Sequence, residues 1–283
     1  MNALLAHLVD DAGLFPPTAL PVAEAVARHR RDQTAGHPMH TLRFLVPVGR
    51  LDGLRAELGS ADRLRLGLIA DAAGPGDAGE RLRAALAAVA DDERLETALV
   101  EAPLTVFGTD PARAVPAVLA ATADAGVPVF LEPAAPRGVD ALLAAVQGTA
   151  GVGAKLRCGG LRAEQFPSPA EVAHFVTACA RAGVPFKATA GLHHAVRHRA
   201  GQTGFTHHGY LNLLLASALA AAGPGAMAPV LHALETTSAD DLARGLAAVP
   251  APAVAAARTL FVSYGSCSTR TPVSEARTLL GAA

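Results

Sequence analysis

The chain has 283 residues, of which 51% are hydrophobic and 17% charged, so it carries enough apolar content for a sizeable core and too little charge for a disordered polymer. Its 24 basic and 25 acidic residues leave a formal net charge of −1, and only 4% of residues are aromatic, with no Trp. A near-neutral chain without a basic run, and without rings for base stacking, argues against nucleic acid as a partner.

The N-terminal stretch MNALLAHLVDDAGLF has no basic leader region and reads as the first strand, Leu5–Gly13, rather than a signal peptide. Apolar runs then alternate with stretches of helical period. The strand runs are 42–48 (LRFLVPV), 64–71 (LRLGLIAD), 95–101 (LETALVE), 127–132 (VPVFLE), 152–157 (VGAKLR), 185–190 (PFKATA) and 260–264 (LFVSY). Residues 79–89, 112–125 and 169–182 have helical spacing. Ala-Gly-Val-Pro recurs at 125–128 and 182–185, where Gly just past a helix and Pro before an apolar run mark a helix stop and a strand start. Runs buried on both faces and alternating with helices make a parallel sheet. Eight of them predict one (β/α)8 barrel of TIM type spanning 1–283 as a single domain, with an open Rossmann-like sheet as the lesser alternative, since no GxGxxG follows an early strand. The interval of about 70 residues before the last strand contains 211–222, plainly helical and ended by Gly223-Pro224, and 226–235, helix or strand. It predicts a helical excursion between strands seven and eight. The longest apolar stretch, 213–222, is about half of the roughly 20 residues that a membrane span requires. The three cysteines, Cys158, Cys179 and Cys267, are widely spaced and odd in number, as in a reducing cytoplasm.

Functional groups of such a barrel lie at the C-terminal ends of its strands. Those ends carry Asp10 and Asp11, Arg43, Asp71, Glu101, Glu132, Lys155 with Arg157, Lys187 with His193, and Ser266. Lys155 and Lys187 are the only lysines among 24 basic residues, and both sit inside apolar strands adjacent in order. Arg stays protonated, whereas a buried Lys can become a neutral nucleophile. Two ammonium groups on neighbouring strands, about 5 Å apart, would each weaken the other's hold on its proton. His193 shares the strand parity of Lys187, which would direct it to the same interior side as a proton shuttle, with Asp71 as the other candidate for that role. Five of the 11 histidines fall between His193 and His208, but without a recognised metal-ligand spacing. Arg43 and Arg157 are interior by parity, and a guanidinium at a strand end clamps carboxylate or phosphate. Gly265 and Ser266 open a hydroxyl-rich loop before Pro272-Val273-Ser274-Glu275, with Pro272 expected at the first helical position.

Lys155-Leu156-Arg157-Cys158-Gly159-Gly160, Lys187-Ala188-Thr189-Ala190-Gly191 and Gly265-Ser266-Cys267-Ser268 together resemble strands six to eight of class I aldolases of the deoxyribose-phosphate aldolase type. The resemblance covers about a third of the chain. It implies that Lys155 is the Schiff-base residue, Lys187 its activating neighbour, and Gly265 with Ser266 a phosphate loop. His193 and His194 depart from that pattern, and His194 joins Arg43, Arg157, Glu101 and Glu132 as a candidate substrate contact. The expected protein is a cytoplasmic lyase without metal or cofactor, acting on a small anionic carbonyl metabolite; a homo-oligomer is compatible with the sequence. Two rivals stand beside it. One is an enolase-like isomerase or dehydratase holding a metal on Asp71, Glu101 and Glu132, with Glu96 competing with Glu101 for the inward position. The other is a non-catalytic metabolite-binding barrel.

Overall fold

The computed structural model describes residues 3–72, 74, 76–108, 110–201, 203–223 and 227–281. Eight parallel strands close a barrel: β1 (Val9–Asp11), β2 (His40–Pro47), β3 (Leu64–Ile69), β4 (Leu95–Pro103), β5 (Val129–Glu132), β6 (Val152–Arg157), β7 (Phe186–Thr189) and β8 (Phe261–Ser266). Each pairs with the next in the chain, and β1 closes the ring by pairing with both β8 and β2. The helices α1 (Val22–Ala35), α2 (Leu51–Ala56), α3 (Ala78–Ala90), α4 (Pro111–Thr122), α5 (Val139–Ala145) and α6 (Pro169–Ala182) follow the first six strands in turn. This is the α/β barrel that the alternating runs predict.

Local chemistry places these elements. The α6 bounds are those read from the sequence: Ser168 caps the Glu171 N–H, the Glu171 carboxylate returns to the Ser168 N–H, and Pro169 occupies the first turn. Gly183, with φ of +65°, then adopts the left-handed conformation that ends the helix. The first strand is shorter than Leu5–Gly13 suggests, because residues 3–7 form turns that tuck Leu4 and Leu5 into the core. Within β1 the alternation of a strand sends Asp10 into the barrel, while Asp11 faces α1 and pairs with Arg28 and His29.

Between β7 and β8 lie a short hairpin (198–199 against 206–207) and α7 (Tyr210–Ala222), α8 (Met227–Glu235), α9 (Ala239–Ala247) and α10 (Ala251–Leu260). The excursion is therefore helical, and the segment ending at Glu235 is helix rather than strand. Pro224 and Ala226, invoked as its boundaries, lie outside the described residues. Helix α7 is apolar on all sides because it is enclosed on all sides, with even Asn212 and Ser217 buried. Asn212 earns its place by bonding: its Oδ1 accepts from the Arg197 N–H at 2.8 Å, and its Nδ2 donates to the Ala233 and Thr236 carbonyls at 2.8 and 2.7 Å. Asn212→Ala orphans these groups and is expected to lower stability by about 2–4 kcal/mol, read as a reduced urea midpoint. No helix among the described residues is long and apolar enough to cross a membrane.

After β8, α11 (Arg270–Leu280) begins two residues earlier than expected, so Pro272 is its third residue rather than its first. Pro is tolerated there because first-turn N–H groups have no partner within the helix.

Candidate active site

The register pairs Lys155 with Lys187 across β6 and β7, and Ser263 of β8 with Lys187. The two lysines thus lie side by side inside the barrel, 2% and 0% exposed. They do not confront each other bare. Glu101 of β4 reaches between them, its Oε2 2.6 Å from Lys155 Nζ and its Oε1 3.3 Å from Lys187 Nζ. Glu132 of β5 stands 3.0 Å from Lys155 and accepts from Arg157 Nε at 2.7 Å. On the other flank, Lys187 is ion-paired with Asp10 and donates to Ser263 Oγ at 2.9 Å. Asp10 also accepts from Ser263 Oγ at 2.8 Å, from Thr41 Oγ1 at 2.6 Å and from Arg43 Nε at 2.8 Å. One ionic chain therefore crosses the barrel: Arg43, Asp10, Lys187, Glu101, Lys155, Glu132, Arg157.

The intervening carboxylates reverse the electrostatics expected for a lysine pair. Burial by itself would lower the Lys155 pKa, but the charges of Glu101 and Glu132 outweigh it, and the net shift is upward. The resting Lys155 amine holds its proton firmly. Burial pushes the Asp10 carboxyl the other way, upward, yet the Lys187 and Arg43 charges hold it well below the usual carboxylate range. Glu132 is likewise held low against burial by Lys155 and Arg157. This ionic row sets three carboxylates against four cations.

Its two ends differ. Arg157, its side chain 42% exposed, marks the C-terminal mouth. At the N-terminal mouth a cavity of about 980 Å3 reaches Arg43, Leu99 and Phe130.

The remaining candidates have other partners. Asp71 Oδ2 accepts from the Gly49 N–H at 2.9 Å. Glu96 is exposed and paired with Arg65 at 3.3 Å, whereas Glu101 is buried and is the β4 acid that reaches the lysines. His193 turns to Cys267, with Nδ1 3.3 Å from Sγ. His194 is exposed and contacts Glu275 at 2.6 Å. Gly265 occupies an interior position of β8, where a Cβ would meet Leu45. The buried Ser266 hydroxyl donates to the Ser268 carbonyl at 2.6 Å, and the α11 cap Thr269 makes no side-chain capping bond. Among the described residues, no group of three or more His, Cys, Asp or Glu could hold a metal ion, so Asp71, Glu101 and Glu132 do not assemble the enolase-like triplet.

Sequence reasoning gave Asp10 no role of its own and passed over Ser263. Asp10 was only one of several strand-end acids, although its parity within β1 already distinguishes it from Asp11. Ser263 lies two residues before Gly265, on the same face of β8, and that spacing is the signal for it. No protein-family model matches the chain, and no curated protein matches it either.

Proposed function

We propose that the barrel is a Schiff-base lyase of aldolase type, acting on a small carbonyl compound that bears a carboxylate or phosphate, with Lys155 as the nucleophile. The observation that carries this reading is the placement of Lys155 between two carboxylates, one of which is shared with the exposed Arg157. Amine attack on a carbonyl needs a neutral nucleophile, then a proton for the departing water, and both transfers need an acid or base within hydrogen-bond reach. Glu101 and Glu132 are both in reach.

The same arrangement couples binding to activation. An anionic substrate competes with Glu132 for Arg157. Glu132, released from that guanidinium, gains proton affinity and takes the Lys155 proton. The neutral amine adds to the carbonyl carbon, the new ammonium passes a proton to the alkoxide to leave a neutral carbinolamine, and the carboxylic acid then gives its proton to that hydroxyl, so that water departs and the iminium forms. Lys187, anchored by Asp10 and Ser263, supplies positive charge on the far side of Glu101. This route is completed by the chain's own residues.

Borohydride treatment in the presence of a panel of small aldehydes, ketoacids and phosphorylated ketones, read by intact mass and peptide mapping, tests the reading. An irreversible adduct on Lys155 with at least one anionic member is expected. No adduct on either lysine across the panel would overturn it. For a substrate so found, Arg157→Met should raise KM by about ten- to hundred-fold, the equivalent of roughly 1.5–3 kcal/mol for a charged hydrogen bond. An uncharged analogue should lose much less.

A further inference from the structure

The three cysteines are not equivalent. Cys158 and Cys179 are fully enclosed, and burial pushes both thiols far above their ordinary pKa. Cys267 lies just past β8 at the C-terminal mouth, 6% exposed, with the His193 imidazole 3.3 Å from its sulfur. Arg28 donates from its guanidinium to the Cys267 carbonyl at 2.6 Å and pairs with Asp11, which fixes the peptide that carries the thiol. His193 is half-buried, and that burial, with His194 nearby, keeps it neutral at pH 7. In the tautomer protonated at Nε2, its Nδ1 is a free base directed at sulfur.

A thiol beside a neutral imidazole is the arrangement in which a thiolate forms on demand. Its slight exposure admits only a small electrophile. Lys155 and Lys187 take no part: Lys187 is in register with Ser263, and Cys267 follows Ser263 by four residues, about 13 Å of extended chain. We infer that Cys267 and His193 form an oxidation site for hydroperoxides, independent of the lysine chemistry. The Cys267 proton passes to His193 Nδ1 and the sulfur attacks one peroxide oxygen. The O–O bond breaks, sulfur is oxidised by two electrons to the sulfenic acid, and the departing hydroxide (from hydrogen peroxide) or alkoxide (from an organic hydroperoxide) takes the proton from His193 and leaves as water or alcohol.

The test treats the intact protein with hydrogen peroxide, removes the oxidant with catalase, and unfolds the chain in the presence of dimedone. Each cysteine is then read by peptide mass. Cys267 is expected to acquire the sulfenic-acid label at least ten-fold faster than Cys158 or Cys179, which serve as controls within the same molecule. His193→Asn should slow Cys267 at least ten-fold. Similar rates at all three cysteines overturn the inference without any variant being required, and so does an unchanged Cys267 rate in a folded His193→Asn protein.

Discussion

Borohydride is expected to leave no adduct on Lys155→Met at any pH, while the wild-type protein is trapped with its substrate increasingly as the solution becomes alkaline. The pH dependence follows from the resting pair geometry. Lys155 holds its proton above the ordinary lysine range because Glu101 and Glu132 outweigh the effect of burial, so free amine is scarce near neutrality. Glu101→Gln keeps the shape but removes the negative charge 2.6 Å away. The Lys155 proton is then held less tightly, and the midpoint of the trapping profile should move toward neutral pH by about one unit or more, each unit corresponding to about 1.4 kcal/mol. The amplitude falls at the same time if Glu101 is also a proton carrier, but midpoint and amplitude are separate readings. A midpoint that stays in place or moves upward in Glu101→Gln would show that this carboxylate does not control the amine. Continued trapping in Lys155→Met would remove Lys155 from the mechanism.

Lys187→Met is expected to produce the largest loss of stability, about 3–5 kcal/mol, because it strips the principal counter-charge from an Asp10 that has no exposure to water. The comparison that isolates the cause is Asp10→Asn combined with Lys187→Met, in which neither charge is left unmatched by the other. Urea unfolding of the double variant should show less destabilisation than the sum of the two single changes. Strict additivity would mean that the loss comes from packing around the lysine stem.

The pH range of stability follows the same groups. Asp10, Asp11 and Glu132 are held below their unfolded values, so their stabilisation is complete above the usual carboxylate range and is lost as pH falls through their folded values. Lys155 is held above its unfolded value, so its contribution is complete below about pH 10 and is lost as pH rises through the folded value. Both sets contribute between roughly pH 5 and 10. In Lys187→Met, Asp10 loses its foremost lowering charge, and the urea midpoint should depend less steeply on acid than in the wild-type protein.

The barrel and its lysine pair were legible in the chain because they depend on local patterns. Runs of β-branched and aliphatic residues, helix caps such as Ser168 with Glu171, and Gly183 past the last turn of α6 act within a few residues of themselves. The adjacency of Lys155 and Lys187 follows from two strands consecutive in sequence, each with its lysine on an inward position. What lies between the lysines does not follow in this way. Glu96 and Glu101 are an odd number of positions apart, so they point to opposite faces of a regular strand, and the pairing of β3 with β4 contains a register shift after Leu66. Only the closed barrel shows that Glu101 is inside.

Parity also fails beyond a strand's end. Ala190 and Gly191, with φ of +57° and +68°, break the alternation after β7 and turn His193 toward Cys267 instead of Lys187. The charge state of Lys155 is the clearest case. In sequence it has a lysine for a neighbour, which predicts a loosened proton; in space it has carboxylates from β4 and β5, 54 and 23 residues earlier, and the sign of the shift reverses. Strand and helix formation are decided by near neighbours along the chain, so the amino-acid sequence alone determined the barrel. Ionisation is decided by whichever charges come within a few ångströms, and in a closed barrel those arrive from strands distant in sequence.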